Sequence, residues 1–171
     1  MSQPEVWLRG PLPDVPALLQ PVAHSLLQSR AEVRSAVGPL APEEVWARPA
    51  GVASVGFHVR HAAGSIDRLL TYARGEQLSA EQLAWLAAEG EPDHASDIAA
   101  RLVEAFDAAV ERALAQVRAT PESTLRDARE VGRGRLPSTV IGLLVHAAEH
   151  TQRHAGQLLT TARIACAERR P

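Results

Sequence analysis

Histidines 146, 150 and 154 recur at strict four-residue spacing within VHAAEHTQRHAGQ (145–157), and His58 and His61 stand three apart in SVGFHVRHAAG (54–64). Neutral imidazole is a ligand for zinc, nickel, iron and copper. These five of the chain's seven histidines therefore raise the question of a metal. On a helix, side chains four apart lie about 5–6 Å from one another at Cβ, so two neighbouring imidazoles of the stretch can reach one ion. The outer pair is two turns, or about 11 Å, apart and cannot do so comfortably. A third ligand must then come from another element, and the pair His58 and His61 supplies candidates. Three imidazoles leave a coordination position open to water or substrate, the catalytic rather than the structural pattern for zinc. Zinc is the expected ion, with nickel or iron as alternatives. His24 and His94 stand alone and read as ordinary histidines.

The elements that must position these residues read as helices. From about Asp14 to Gly38, Val15, Leu18, Leu19, Val22, Leu26 and Val33 recur at helical spacing. A second helix is predicted over 54–74, with Gly75 as its C-terminal glycine. A short helix falls within 79–90 and a third long one over 97–118, with Ile98, Leu102, Phe106, Val110, Leu114 and Val117 on one face. The fourth begins near Ser138 and continues to about Glu168. Residues 1–13 read as an extended segment and 121–137 as a loop rich in Arg, Glu and Gly. No convincing strand stands out. The expectation is an all-α chain, a single domain over 1–171, folded as a four-helix bundle; the long connections make a crossover topology plausible.

The histidines border the buried faces of these helices. On the fourth helix His146, His150, His154 and Gln157 lie beside the apolar arc Val140, Leu144, Ala147, Leu158 and Ala162. On the second, Ser54, His58, His61, Ser65 and Tyr72 lie beside Val55, Val59, Ala62, Ile66, Leu69 and Leu70, with Arg60, Asp67 and Arg74 on the opposite, solvated side. Facing the two edges would assemble a three-histidine site inside the bundle.

Composition narrows the partners. All 18 basic residues are arginine, yet the formal charge is −2, which offers no basic footprint for nucleic acid. Four arginines in RDAREVGRGR (126–135) read as a solvated loop. A single cysteine, Cys166, excludes an intramolecular disulfide framework. No apolar run approaches the roughly 18 residues of a membrane span, and no signal-type segment follows Met1. The expected setting is soluble and cytoplasmic.

SVGFHVRHAAGSIDRLLTYARG (54–75) together with HAAEHTQRHAGQL (146–158), preceded by LAPEEVWARPAG (40–51), resembles the DinB-like (DinB/YfiT) family of bacterial metalloproteins. The resemblance implies a bundle with up-down-down-up connections, a homodimer, and a divalent metal held by one histidine of the second helix and an H-x-x-x-H pair of the fourth. Carried onto this chain, those ligands are His61, His150 and His154, with His58 as the fallback on the second helix and His146 and Gln157 beside the ion. Some similar proteins are thiol-dependent S-transferases, which implies a small electrophilic substrate and a low-molecular-weight thiol. A thiol entering the open position would lose its proton and become a nucleophile, and a water there could act hydrolytically. The alternative is a non-catalytic metal-binding or stress-response protein in which the ion ties two helices together. Among other side chains, Ser65 could orient an imidazole, while Glu149 and Arg153 lie towards solvent. Trp46, Trp85 and Tyr72 could wall a pocket. Cys166, about 18 Å along the helix from His154, is a poor nucleophile candidate.

Overall fold

The computed structural model describes residues 4–168. Four long helices carry the fold: α1 (Gln20–Val37), α3 (Val55–Ala73), α5 (Ile98–Ala119) and α6 (Val140–Glu168). Two short ones, α2 (Pro42–Trp46) and α4 (Ala80–Ala88), lie within the connections. Local chemistry sets the ends of α3. The Ser54 hydroxyl caps its first turn by accepting the Phe57 N–H at 3.2 Å. At the other end the Gly75 and Glu76 N–H groups return to the carbonyls of Tyr72 and Thr71, with Gly75 at φ 81°, a Schellman closure. α4 opens with a capping box in which Ser79 and Gln82 satisfy one another's backbone N–H groups.

Each long helix packs against two others: α6 against α3 and α1, α5 against α3 and α1. Cross-helix pairs give the directions. Arg30 meets Glu111 and Arg34 meets Asp107, so α1 and α5 are antiparallel. His58 meets His154 and His61 meets His150, so α3 and α6 are antiparallel as well. Arg60 and Arg101 share Asp93 while Gln116 reaches the Leu70 carbonyl, so α3 and α5 run the same way. In order, the four helices run up, down, down, up. Phe106, Leu19, Leu26, Ile66, Leu114, Leu144 and Leu158 fill the centre, almost completely buried. No helix among the described residues is long and apolar enough to cross a membrane.

Three expectations are corrected. The first helix starts at Gln20, not near Asp14: Asp14 has a positive φ of 59°, Pro16 breaks the chain, and a 3-10 turn over Ala17–Leu19 leads in. Leu18 is consequently 61% exposed while Leu19 is buried. The N-terminal segment is not wholly extended, because a 3-10 turn at Val6–Arg9 buries Val6 against α1; residues 1–3 lie outside the described part. The loop 121–137 contains an antiparallel hairpin, β1 (Ala128–Val131) with β2 (Leu136–Thr139), in which Ala128 faces Thr139 and Val131 faces Leu136. Its strands are short, the first carries Arg129 and Glu130, and Pro137 sits inside the second, so strand patterning is weak. Within the arginine-rich stretch, Arg129 donates to the Ala73 carbonyl at 2.8 Å, while Arg135 pairs with Glu130 at the surface.

Candidate metal centre

The antiparallel register of α3 against α6 brings both histidine stripes together. One nitrogen from each of His61, His150 and His154 lies within 4.8 Å of the other two. His61 Nε2 and His150 Nε2 stand 2.9 Å apart, and His58 Nδ1 and His154 Nδ1 also 2.9 Å. Two nitrogens on one tetrahedral zinc, with bonds of about 2.0–2.1 Å, are separated by roughly 3.3 Å. The observed spacing requires only small rotations to reach that.

The protonation pattern also favours a cation. His61 Nδ1 donates to Glu89 Oε2 at 2.7 Å, which leaves its Nε2 as a lone pair aimed at His150. His150 Nδ1 is buried without a hydrogen-bond partner. Buried polar atoms of that kind are rare in folded proteins. A positive ion at the cluster would give the facing nitrogens of His61 and His150 a shared partner.

Glu89 is the residue that sequence reasoning missed. It follows α4 directly, is 4% exposed, and uses both oxygens: Oε2 takes the His61 proton and Oε1 accepts from Arg68 Nη1 at 2.7 Å. Arg68 Nη2 donates to Ser65 Oγ at 3.2 Å, and Ser65 Oγ lies 3.3 Å from His61 Nε2. A carboxylate on the outer nitrogen of a ligating histidine fixes its tautomer and raises its basicity. No fixed spacing links positions 61 and 89, which come together only because α4 folds back over α3. That docking also explains why Arg60 and Asp67 are not on an open solvated face: Arg60 sits 4.8 Å over the Trp46 ring and reaches the carbonyls of Ala88 and Glu91, while Asp67 accepts from Gln82.

Gly64 makes the docking possible. A Cβ there would lie 2.6 Å from both Arg68 Nη1 and Trp85 Cδ1 and 2.7 Å from Glu89 Oε1. Gly64→Ala is expected to destabilise the protein by about 1–3 kcal/mol, the usual penalty for overpacking, and to weaken metal uptake. Thermal unfolding with and without zinc would measure both effects; a variant matching the parent in both would refute this account.

The remaining expected residues divide. His58 is buried beside His154, outside the three-nitrogen group. His146 is half-exposed, 3.3 Å from Glu149 through its Nδ1, with its ring 5.4 Å from that of His150. Gln157 is exposed and makes no hydrogen bond with the cluster; by the α3–α6 register it lies level with the residues where α3 begins. Glu149 pairs with Arg153 on the surface. Trp46 donates to the Asp93 carbonyl and Trp85 to that of Arg60, whereas Tyr72 lines a cavity beside His150. Cys166 lies in a separate cavity between α1 and α6.

The profile of the DinB superfamily matches residues 25–158, a span containing all five clustered histidines. This chain belongs to the DinB superfamily. The crystal structure of a conserved protein from Enterococcus faecalis is similar at a TM-score of 0.72 and 17% identity, over 88% of this chain and 98% of that one. At that identity the likeness speaks to the fold alone. No curated protein matches.

Burial favours the neutral form of His58, His150 and His154 in this DinB-superfamily chain. It lowers the pKa of His58 and His150, with the neighbouring His61 adding to each, and His154 is pushed down to about 3, first by burial and then by His61, His150 and His58. The ordinary value is 6.5. Below it the unfolded chain takes up protons that the folded chain refuses, so stability is fully present above that value and is lost as the pH falls. The melting temperature of the metal-free protein is therefore expected to decline steadily from about pH 7 to about pH 4. Metal affinity should fall over the same window, because protons compete for the same lone pairs. A flat stability profile there would contradict the burial of neutral histidines.

Proposed function

We propose that this chain binds a divalent ion, zinc as first choice, through His61, His150 and His154, and acts as a thiol-dependent S-transferase on a small electrophile. The observation that carries the reading is the group of three nitrogens within 4.8 Å, backed by Glu89 on the outer nitrogen of His61. When bound, such an ion lowers the pKa of a thiol or water at its open position and supplies a nucleophile at neutral pH. The protein's own groups hold the rest of the site in place. Glu89 keeps the His61 proton on Nδ1, and Arg68 keeps Glu89 turned towards it. His58 holds the ring of His154 through its Nδ1. His146, at the edge of the cavity beside His150, is positioned to exchange a proton with a bound ligand.

A cavity of about 250 Å³ reaches His150. That access favours the catalytic reading over an ion that only ties α3 to α6. A homodimer is part of the proposal, and sedimentation would check it. Zinc-loaded protein should transfer a low-molecular-weight thiol to chlorodinitrobenzene, with the rate abolished by EDTA and restored by zinc. Zinc uptake without turnover against a panel of thiols and electrophiles would leave the non-catalytic alternative in its place. Absence of zinc uptake would defeat both.

A further inference from the structure

The cavity beside His150 is lined on the α3 side by Ser65, Arg68, Leu69 and Tyr72 and closed by Leu78, Leu86 and His146. Its polar and apolar parts are segregated. Arg68 and Ser65 sit at the His61–Glu89 end, while the leucines and the Tyr72 ring supply an apolar wall. At about 250 Å³ it is smaller than the roughly 300–1,000 Å³ common for drug-sized ligands, which restricts it to a small molecule.

Arg68 is 9% exposed, yet its donors are only partly used. A guanidinium carries five N–H donors; the Arg68 hydrogen bonds go to Glu89 Oε1 and Ser65 Oγ, leaving others for a ligand. Glu89 cancels the Arg68 charge but also holds His61, so no negative group remains to neutralise an ion on three neutral imidazoles. The other carboxylate near this cavity, Glu149, is on the surface and pairs with Arg153. A bound ion would give the half-buried pocket a surplus positive charge, and with or without it the free N–H donors of the planar guanidinium favour a carboxylate in particular.

We infer that this cavity is a subsite for a small monocarboxylate with an apolar body, its carboxylate on Arg68 and its apolar part against Leu69, Leu78 and Leu86. The inference deepens the metal-site reading, since the ion adds to the positive field, but the recognition itself belongs to Arg68. The substrate of the proposed transfer would then be an electrophile bearing a carboxylate.

Isothermal titration with 3-phenylpropionate and its uncharged amide, 3-phenylpropionamide, tests this on both metal-free and zinc-loaded protein. The acid is expected to bind at least tenfold more tightly than the amide in both forms. Arg68→Met should abolish that preference and Arg68→Lys should retain part of it. Leu86→Trp, at a 44% exposed position where folding is not at risk, should weaken both probes by filling the cavity. Equal binding of acid and amide to metal-free protein would overturn the inference, as would an unchanged preference in Arg68→Met or unchanged binding in Leu86→Trp. Failure of the metal reading would be seen separately, as a lack of zinc uptake, because the metal-free titrations do not depend on it.

Discussion

His150→Ala is expected to lower zinc affinity by about two to three orders of magnitude while leaving the fold intact. Structural zinc sites with four ligands bind with about 10–16 kcal/mol, or roughly 2.5–4 kcal/mol per ligand, and every 1.4 kcal/mol is tenfold. His150 is the ligand for which this is cleanest. It meets His61 through Nε2, and its Nδ1 has no partner to lose. Removing it deletes no other hydrogen bond of the described residues, so the metal-free variant should melt close to the metal-free parent. The two effects separate in one pair of measurements: zinc competition against a chromogenic chelator, and thermal unfolding in EDTA. Parental zinc affinity in the variant would remove His150 from the site.

Glu89→Ala should produce the opposite pattern, with a large loss of stability even without metal. The carboxylate is 4% exposed and is the partner of Arg68, whose side chain is 11% exposed. Removing one member of a buried ion pair strands the other, at a cost of about 3–5 kcal/mol. The same change releases His61 from its fixed tautomer, which typically weakens metal binding a further 10–100-fold. Glu89→Gln separates the two contributions, since the amide keeps the shape and can still accept from Arg68, but it carries no charge. The glutamine variant is expected to be destabilised less than the alanine variant. Denaturant unfolding of both, with zinc competition alongside, measures this. Two variants as stable as the parent would show that the Arg68–Glu89–His61 chain contributes nothing to the fold.

The histidines and the bundle were legible because each signal is local. The α3 and α6 stripes follow from helical spacing, and the limit of two ligands per helix follows from the rise per turn. Helix ends at Ser54 and Gly75 are written in single residues with known capping geometry. What escaped depended on contacts distant in sequence. Glu89 acquires its role only when α4 folds across α3, and Gly64, whose missing side chain admits it, carries no chemistry of its own. The hairpin was hidden because both strands are only four residues long, with two charges in the first and a proline in the second. The surroundings of Gln157 escaped for a related reason: a helical wheel gives the angle of a residue but not whether a neighbouring helix extends far enough to face it.

The antiparallel pairing of α3 with α6 has a consequence for how this protein folds. His61 and His150 are 89 residues apart in the chain, so the unfolded polypeptide can offer an ion little beyond the local pair His150 and His154. Closing so long a loop is entropically unfavourable before the intervening helices have packed. A zinc ion therefore discriminates strongly in favour of the completed bundle, and by mass action at a hundred times its dissociation constant would add about 2.7 kcal/mol to that state. Occupancy of the site would in this way report that α6 has found its place beside α3.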